Sequence, residues 1–308
     1  MKHRALFPRL YAFALTAFTA FVLLDAFVIP QSYSIVETPA ATQSNPADTA
    51  TDNASAAVTA TDNANAAVTA TTYDNGSTKI TLSTYREYDT DIYVAEVTLS
   101  SADALKTAFA NNIYGKNVTQ TTSAMAQAQN AILAINGDYY GARSGYVIRN
   151  GVLYRDTAAS TEQQDLVIYA DGSMEIVREG DVTAQELLKQ GAQQVLSFGP
   201  GLLTGGEVRV EQNTEVDKAR TSNPRTAIGQ VDNLHYVFVV ADGRTNQSAG
   251  LSLYQLAQFM QGLGVRTAYN LDGGGSSTMV FGGSVVNQPT SSGERISERK
   301  VSDIVYIG

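Results

Sequence analysis

The sequence predicts an α+β fold with a mixed or antiparallel central sheet and flanking helices. Strand-like segments outnumber helical ones and follow one another along the chain, a pattern typical of sheets built from sequence neighbours. Of the 308 residues, 44% are hydrophobic and 17% are charged, which is enough for one large domain or two small ones. Composition changes twice along the chain, so three regions are expected: 1–30, 31–72 and 73–308.

The first region, 1–30, has the pattern of a membrane anchor. Basic residues precede an apolar run, 10–29, whose one charge is Asp25. A helix of this length spans about 30 Å, the thickness of the hydrocarbon core. The basic flank predicts a cytoplasmic N-terminus and an extracytoplasmic remainder. A cleaved signal peptide, and hence secretion, is the alternative, but the run is long and no clear Ala-x-Ala site follows it.

The second region, 31–72, is rich in Ala, Thr, Ser, Asn and Asp. Its ten residues 49–58 recur almost unchanged at 59–68. Because this repeat lacks large apolar side chains, it cannot bury a core, and we expect a disordered tether. A short helix is the alternative, since alanine permits one.

The third region, 73–308, contains the elements of the folded domain. Alternating and β-branched segments predict strands at 78–85, 91–99, 131–136, 225–230, 234–241, 267–271, 277–282 and 301–308, with a hairpin at 165–177. Capping residues and helical periodicity predict helices at 101–112, 122–130, 183–191 and 252–264. The last is the clearest, because Ser252 caps it and its apolar residues share one face.

Composition also excludes several kinds of chemistry. There is no cysteine, so the chain has neither disulfides nor thiolate catalysis. A net charge of -9 argues against nucleic-acid binding, which needs a basic field. A Ser-His-Asp triad or a multi-histidine zinc site would have to rest on His235, which lies in an apolar strand pattern. Carboxylates, arginines and backbone amides are left to carry any catalysis.

Four segments combine a strand end with small and charged residues. They are 134–151, 222–229, 240–250 and 269–278. Polar strand ends gather at one rim of a sheet, where ligands usually bind, so we expect the four to form one site. Each alone is compatible with an ordinary turn, since Asp-Gly and Asn-Gly are common turn dipeptides.

The motifs in these segments resemble the phosphodiester glycosidase family. The resemblance is carried by Asn-Pro-Arg-Thr-Ala (223–227), Asp-Gly-Arg (242–244) and Asn-Leu-Asp-Gly-Gly-Gly-Ser-Ser (270–277), by the helix between the last two, and by Arg299 and Val301. It covers residues 80–308. The resemblance implies hydrolysis of the anomeric C–O bond of sugar 1-phosphodiesters in cell-surface or exopolysaccharide material. A binding module that holds phosphorylated polysaccharide without turnover, or a structural protein whose rim segments are turns, remains open.

The implied reaction requires groups that hold a phosphodiester. A guanidinium matches phosphate with two parallel hydrogen bonds, so Arg225 and Arg244 are candidates, with Arg143 as a third. The glycines allow backbone amides to approach an oxyanion closely, and neighbouring hydroxyls add donors. The other candidate substrate-binding residues are Asn136, Asn270, Gly273, Gly274, Gly275, Ser276 and Ser277.

The implied reaction also requires a carboxylate, for which Asp272, Asp242 and Asp138 are the catalytic candidates. A carboxylate can stabilise positive charge at the anomeric carbon, attack that carbon or activate water, and the sequence leaves these roles open. No cofactor is expected. A divalent cation stays unassigned, because no run matches an EF-hand loop.

Overall fold

A computed structural model of the chain describes residues 6–33, 67–68, 71–216 and 222–308. Within these ranges the helices are α1 (Leu6–Phe27), α2 (Thr122–Ala128), α3 (Ala184–Lys189) and α4 (Leu253–Gly262). The strands are β1 (Gln31–Ser32), β2 (Ala67–Val68), β3 (Thr72–Asp74), β4 (Thr78–Glu87), β5 (Thr90–Leu99), β6 (Leu105–Phe109), β7 (Gly115–Lys116), β8 (Leu133–Asn136), β9 (Val147–Arg149), β10 (Val152–Arg155), β11 (Gln164–Tyr169), β12 (Met174–Arg178), β13 (Ala192–Leu196), β14 (Gly201–Thr204), β15 (Glu207–Val208), β16 (Arg225–Asp232), β17 (His235–Ala241), β18 (Thr267–Asn270), β19 (Met279–Phe281), β20 (Ser284–Val285) and β21 (Asp303–Ile307). Most of the predicted tether, 31–72, lies outside the described residues.

The described residues form three main sheets and few helices, which confirms the predicted α+β class. Of the two sheet types predicted, mixed and antiparallel, the antiparallel one is observed. The spatial orders of the three sheets are β15-β14-β18-β16-β17-β5-β4-β3-β2, β20-β19-β8-β21-β6 and β10-β9-β13-β11-β12, and β1 pairs separately with β7. Every strand pair in the described ranges is antiparallel. Hairpin neighbours such as β4–β5 and β16–β17 are joined by short connections, which antiparallel pairing permits. Other pairs, such as β5–β17 and β6–β21, join strands that are distant in the sequence.

The core joins the three sheets. One cluster of buried side chains draws on all of them, including Ile135 of β8, Leu166 of β11 and Phe238 of β17. A second cluster packs α4 against the nine-stranded sheet through Leu256 and Met260, which are one helical turn apart. Close packing of this kind resists deformation, so it fixes where the strand ends lie relative to one another.

The prediction of a helix over 101–112 is wrong. Ser101 caps only a 3-10 turn at Ala102–Ala104, and the chain then continues as β6. Leu105 to Phe109 pairs along its length with β21. This pairing with the C-terminal strand buries the segment and overrides its local helical pattern. The three other predicted helices of the domain and the hairpin at 165–177 are confirmed.

The predicted membrane-spanning helix is not supported. The apolar run 10–29 lies largely within α1, yet no helix in the described ranges combines the length and apolarity that a bilayer crossing requires. The residues that follow α1 contact the domain. Asn117 Nδ2 donates to the Ile29 carbonyl at 3.0 Å, and Gln31 pairs with Lys116.

Candidate active site

Four strand ends meet where the sequence predicts a common rim. β16 begins at Arg225, opposite Ala241 at the end of β17. β18 ends at Asn270, opposite Ala227 of β16. The end of β8 joins them, because Asn136 Nδ2 donates to the Asp272 carbonyl just beyond β18 at 2.6 Å. The four segments therefore converge.

Asn136 holds this junction together. Its Oδ1 accepts hydrogen bonds from Thr226 Oγ1 at 2.8 Å and from the Thr278 amide at 3.2 Å, and the side chain is fully buried. Asn136 thus links β8, β16 and the loop after β18. The geometry gives it a positioning role in place of the substrate contact predicted from the sequence.

A cavity of about 200 Å³ opens at this junction. It is lined by Phe198, Val216, Asn223, Arg225, Arg244, Asp272, Gly273, Gly274 and Arg299. Five of these are sequence-predicted site residues. Three guanidinium groups against one carboxylate make the cavity cationic, although the chain carries a net charge of -9. Such a cavity suits a ligand whose anionic group contacts the guanidinium groups while an adjacent atom lies near the carboxylate.

Asp272 is the carboxylate that lines the cavity, and its side chain is held at one oxygen. Ser276 Oγ donates to Oδ2 at 2.5 Å, and Arg299 Nη2 lies 3.8 Å from the same oxygen. No described residue donates a hydrogen bond to Oδ1, so this oxygen is available to a ligand. Burial raises the pKa of Asp272, while the Ser276 bond and the charges of Arg299 and Arg143 counter that rise.

Arg299, Ser276 and this carboxylate are linked by a chain of hydrogen bonds. Arg299 donates to Ser276 Oγ from Nε at 3.0 Å and from Nη2 at 2.7 Å. Because both lone-pair directions of the hydroxyl then face the guanidinium, its proton is directed to Asp272. These hydrogen bonds fix the rotamer of Asp272 and stabilise its ionised form.

Arg225 and Arg244 come from different segments and both donate to neutral acceptors, while Arg225 Nη2 also lies 3.8 Å from Glu215 Oε2. Arg225 Nε donates to the Leu251 carbonyl at 2.9 Å. Arg244 donates to Asn223 Oδ1 from Nε and Nη2 at 3.2 and 2.9 Å, and from Nη1 to the Ser291 carbonyl at 2.7 Å. Burial lowers the pKa of Arg225 to about 10; the charge of Glu215 opposes this decrease, and the charge of Arg244 adds to it. Arg225 therefore stays protonated at neutral pH.

The glycines after Asp272 allow two walls of the cavity to approach each other. Gly274 has φ +61°, and a Cβ there would lie 2.9 Å from Arg244 Nη2. A Cβ on Gly273 would lie 2.9 Å from the Pro224 carbonyl oxygen. The Gly274 amide donates to that carbonyl at 2.8 Å, so it serves the turn and not a ligand. The bare backbone is needed for close packing.

Asp138 lies away from the cavity, in a buried ion cluster. It is fully buried, and its carboxylate accepts from Arg149 Nη2 at 2.9 Å and from the Ser197 amide at 2.7 Å. Arg149 Nη2 also lies 2.9 Å from Asp303 Oδ2. These bonds engage both oxygens of Asp138, so the geometry assigns it to the core beneath the rim and not to the reacting centre.

Asp242 also points away from the cavity. Its Oδ1 accepts from Asn287 Nδ2 and from the Gln288 amide, both at 3.0 Å. Burial raises the pKa of Asp242, and these two bonds oppose the rise. Asp242 thus fastens the segment at 287–288 to the end of β17, and it is absent from the cavity lining.

The remaining sequence-predicted residues lie around the cavity without lining it. The Arg143 guanidinium stacks 4.1 Å from the centroid of the Phe198 ring. Asn270 Nδ2 donates to the Gly199 carbonyl at 2.7 Å. Gly275 and Ser277 are buried behind the turn, and Ser277 Oγ has no hydrogen-bond partner in the described part of the chain.

Sequence reasoning did not assign four of the lining residues to the site: Phe198, Val216, Asn223 and Arg299. Asn223 and Arg299 stand in the motifs that carry the family resemblance, which was a usable signal. Phe198 follows a buried strand and precedes Gly199, the pattern of a residue at a strand end. Nothing local distinguishes Val216. Within the described ranges, no group of three or more acidic or histidine side chains converges to hold a metal ion.

Comparison with known proteins matches the chain to a family model and to several relatives. A family model described as phosphodiester glycosidase matches residues 129–308, more than half of the chain. The SPbeta prophage-derived uncharacterized protein YomE of Bacillus subtilis is 30% identical over 190 residues, 60% of this chain and 30% of the relative. The human N-acetylglucosamine-1-phosphodiester alpha-N-acetylglucosaminidase is 28% identical over 187 residues, 55% of this chain and 36% of the relative. The chain thus matches about a third of the length of these relatives.

Solved structures share the fold. The zebrafish N-acetylglucosamine-1-phosphodiester alpha-N-acetylglucosaminidase catalytic domain superposes with a TM-score of 0.59 at 23% identity, covering 75% of this chain and 82% of that domain. A hypothetical protein from Synechocystis superposes with a TM-score of 0.54 at 14% identity, covering 75% of this chain and 62% of its own. At these identities the likeness establishes the fold alone.

Proposed function

This chain belongs to the phosphodiester glycosidase family, and from that premise we propose that it hydrolyses the anomeric C–O bond of sugar 1-phosphodiesters. The observation that carries the proposal is a single cavity lined by Asp272 together with Arg225, Arg244 and Arg299. The arginines suit a phosphodiester, and the carboxylate suits the sugar carbon bonded to it. The human relative, by its name, acts on an N-acetylglucosamine-1-phosphodiester.

The arginines bind the phosphate and stabilise its departure. A phosphodiester carries one negative charge, and the leaving phosphomonoester gains a second as the C–O bond breaks. Guanidinium groups held in place by hydrogen bonds to the protein are already oriented when that charge develops, so they stabilise the transition state more than the ground state. A phosphate leaving group also needs less proton assistance than an alcohol. One carboxylate in the cavity is then sufficient.

Asp272 acts at the anomeric carbon in its ionised form. The C–O bond breaks with its electron pair moving to phosphate oxygen, and positive charge develops at the sugar carbon. Oδ1 either bonds to that carbon or accepts a proton from the attacking water, while Oδ2 stays bound to Ser276. Water supplies the oxygen of the free sugar, and the second product is a phosphomonoester.

The test is a product assay in isotopically labelled water. The protein is incubated with methyl phosphodiesters of several sugar 1-phosphates, and free reducing sugar is measured. We expect labelled oxygen in the sugar and none in the phosphate. Label in the phosphate would establish P–O cleavage and refute the glycosidase mechanism. Binding without release of sugar would show that the chain is a polysaccharide-binding module.

We also propose that the protein acts outside the cytoplasm on cell-surface or exopolysaccharide material. The support is the basic and apolar N-terminal sequence, 1–30, which has the composition of an export segment. Fractionation of cells that express the full chain tests this proposal. Recovery of the domain in the cytoplasm, protected from protease added to intact cells, would refute it.

A further inference from the structure

Phe198 and Val216 line two cavities at once. One is the cavity described above, and the other, of about 190 Å³, lies beside it. The two cavities therefore adjoin at these side chains, and we call them the cationic lobe and the acidic lobe. Besides the two shared residues, the acidic lobe is lined by Glu162, Gln163, Gln164, Gly199, Pro200 and Glu215.

The two lobes have opposite charge. Among the described residues that line the acidic lobe, Glu162 and Glu215 are acidic and none is basic. Both oxygens of Glu215 are buried and accept no hydrogen bond from any described residue, and Arg225 Nη2 lies 3.8 Å from Oε2. Glu162 Oε2 lies 3.9 Å from Arg178 Nη1, so its charge is partly offset. The arginines of the cationic lobe attract a phosphate more strongly than this lobe does, because no described residue that lines it is basic. A neutral group with hydroxyl donors fits the acidic lobe.

The strand that precedes the reactive carboxylate also builds the acidic lobe. Tyr269 Oη accepts from the Phe198 amide at 2.9 Å and donates to the Gln164 carbonyl at 2.6 Å. Asn270 Nδ2 holds the Gly199 carbonyl at 2.7 Å. Both side chains belong to β18, whose continuation carries the carboxylate of the cationic lobe. The spacing between the acidic lobe and that carboxylate is thus set by one rigid strand.

We propose that the acidic lobe is the binding site for the glycosyl group, a neutral pyranose. This inference rests on the proposed function. The anomeric carbon is bonded directly to a phosphate oxygen, so a sugar must lie beside a phosphate held in the cationic lobe. Phe198 offers an apolar ring between the two lobes, and the Gln163 side-chain oxygen, which no described residue engages, offers an acceptor for a sugar hydroxyl. The charge difference then orients the substrate, with the sugar in one lobe and the phosphate in the other.

Kinetics on a substrate matrix test this assignment. The substrates are methyl and benzyl phosphodiesters of glucose, galactose, mannose and N-acetylglucosamine 1-phosphate, and the full-length variants are Gln163→Ala and Phe198→Leu. Each variant is expected to change the kcat/KM ratio of at least one sugar pair by about tenfold and the methyl-to-benzyl ratio by less than about twofold. The control is Gln185→Ala, which replaces a half-buried glutamine on α3 that lines neither lobe and whose Nε2 donates to Asp156; it should change neither ratio. A change in the methyl-to-benzyl ratio alone would place the aglycone in the acidic lobe and overturn the proposal. Unchanged kcat/KM ratios for every sugar pair would also overturn it.

Calorimetric titration separates this proposal from the proposed function. Free glucose and N-acetylglucosamine, and inorganic phosphate, are titrated into the same proteins, so no turnover is required. Gln163→Ala should weaken binding of at least one sugar severalfold and leave phosphate binding unchanged. If the wild type releases no sugar from any diester, the glycosidase proposal fails while this measurement still decides the subsite. If the variant weakens phosphate binding and not sugar binding, the subsite assignment fails.

Discussion

Replacing Ser276 by alanine removes the hydrogen bond that holds Asp272 Oδ2. That bond is 2.5 Å long, joins a hydroxyl to a buried carboxylate and is backed by Arg299 at 2.7 and 3.0 Å. A hydrogen bond to a charged group contributes about 1.5–3 kcal/mol, and 1.36 kcal/mol corresponds to one pH unit in a titration, so the acid limb of the rate profile should move by about one to two pH units. The direction is upward, because burial already raises the pKa of Asp272 and the variant loses a contact that opposes this.

The assay is kcat/KM for a sugar 1-phosphodiester as a function of pH, with wild type and variant side by side. Ser277→Ala is the matched control: it removes the same atom one residue away, where Oγ has no partner in the described part of the chain. Its acid limb should coincide with that of the wild type. A Ser276→Ala enzyme that loses rate at every pH without moving its acid limb would refute the assignment of Asp272 as the group that must be ionised. An equal movement in both variants would show a general change in the turn.

Three further changes test the site and its support. Asp272→Asn should reduce kcat by more than about a hundredfold while thermal unfolding stays close to wild type, and a fully active folded variant would contradict its role. Arg225→Lys keeps the charge but loses the planar fork, so KM for the diester should rise with little change in kcat; an unchanged KM would exclude phosphate binding by Arg225. Arg149→Met leaves the Asp138 and Asp303 carboxylates unpaired in the core, and the free energy of unfolding should fall by about 3–5 kcal/mol in denaturant titration, whereas a neutral effect would show that the cluster contributes nothing.

The pH dependence of stability provides an independent test of the same cluster. Burial, together with the neighbouring Asp138, raises the pKa of Asp303 to about 7. A carboxyl that binds its proton more tightly when folded stabilises the protein fully below its unfolded pKa of about 4, and that contribution is lost as the pH rises through 7. Asp303→Asn should remove this decline from denaturation curves measured between those limits. A decline of the same size in the variant would assign it to other groups.

The elements with strong local signals were predictable from the sequence. Ser252 and the apolar spacing of α4 specify a helix wherever the segment lies, and the hairpin at 165–177 is set by its turn at Asp171-Gly172. The helix predicted over 101–112 failed because pairing with β21 is a contact across nearly 200 residues of chain, which a local pattern cannot register.

The candidate site, too, was predictable from the sequence only in part. The sequence determined which residue types were available for the chemistry: three aspartates at strand ends, arginines in short motifs, and no cysteine. Only the tertiary structure decided among them. Asp138, Asp242 and Asp272 all follow or end strands, but the packing of the three sheets pairs the first with Arg149, binds the second to Asn287 and leaves the third in a cavity. The reason is physical: the surroundings of a carboxylate are set by the segments that pack against it, and these come from distant parts of the chain.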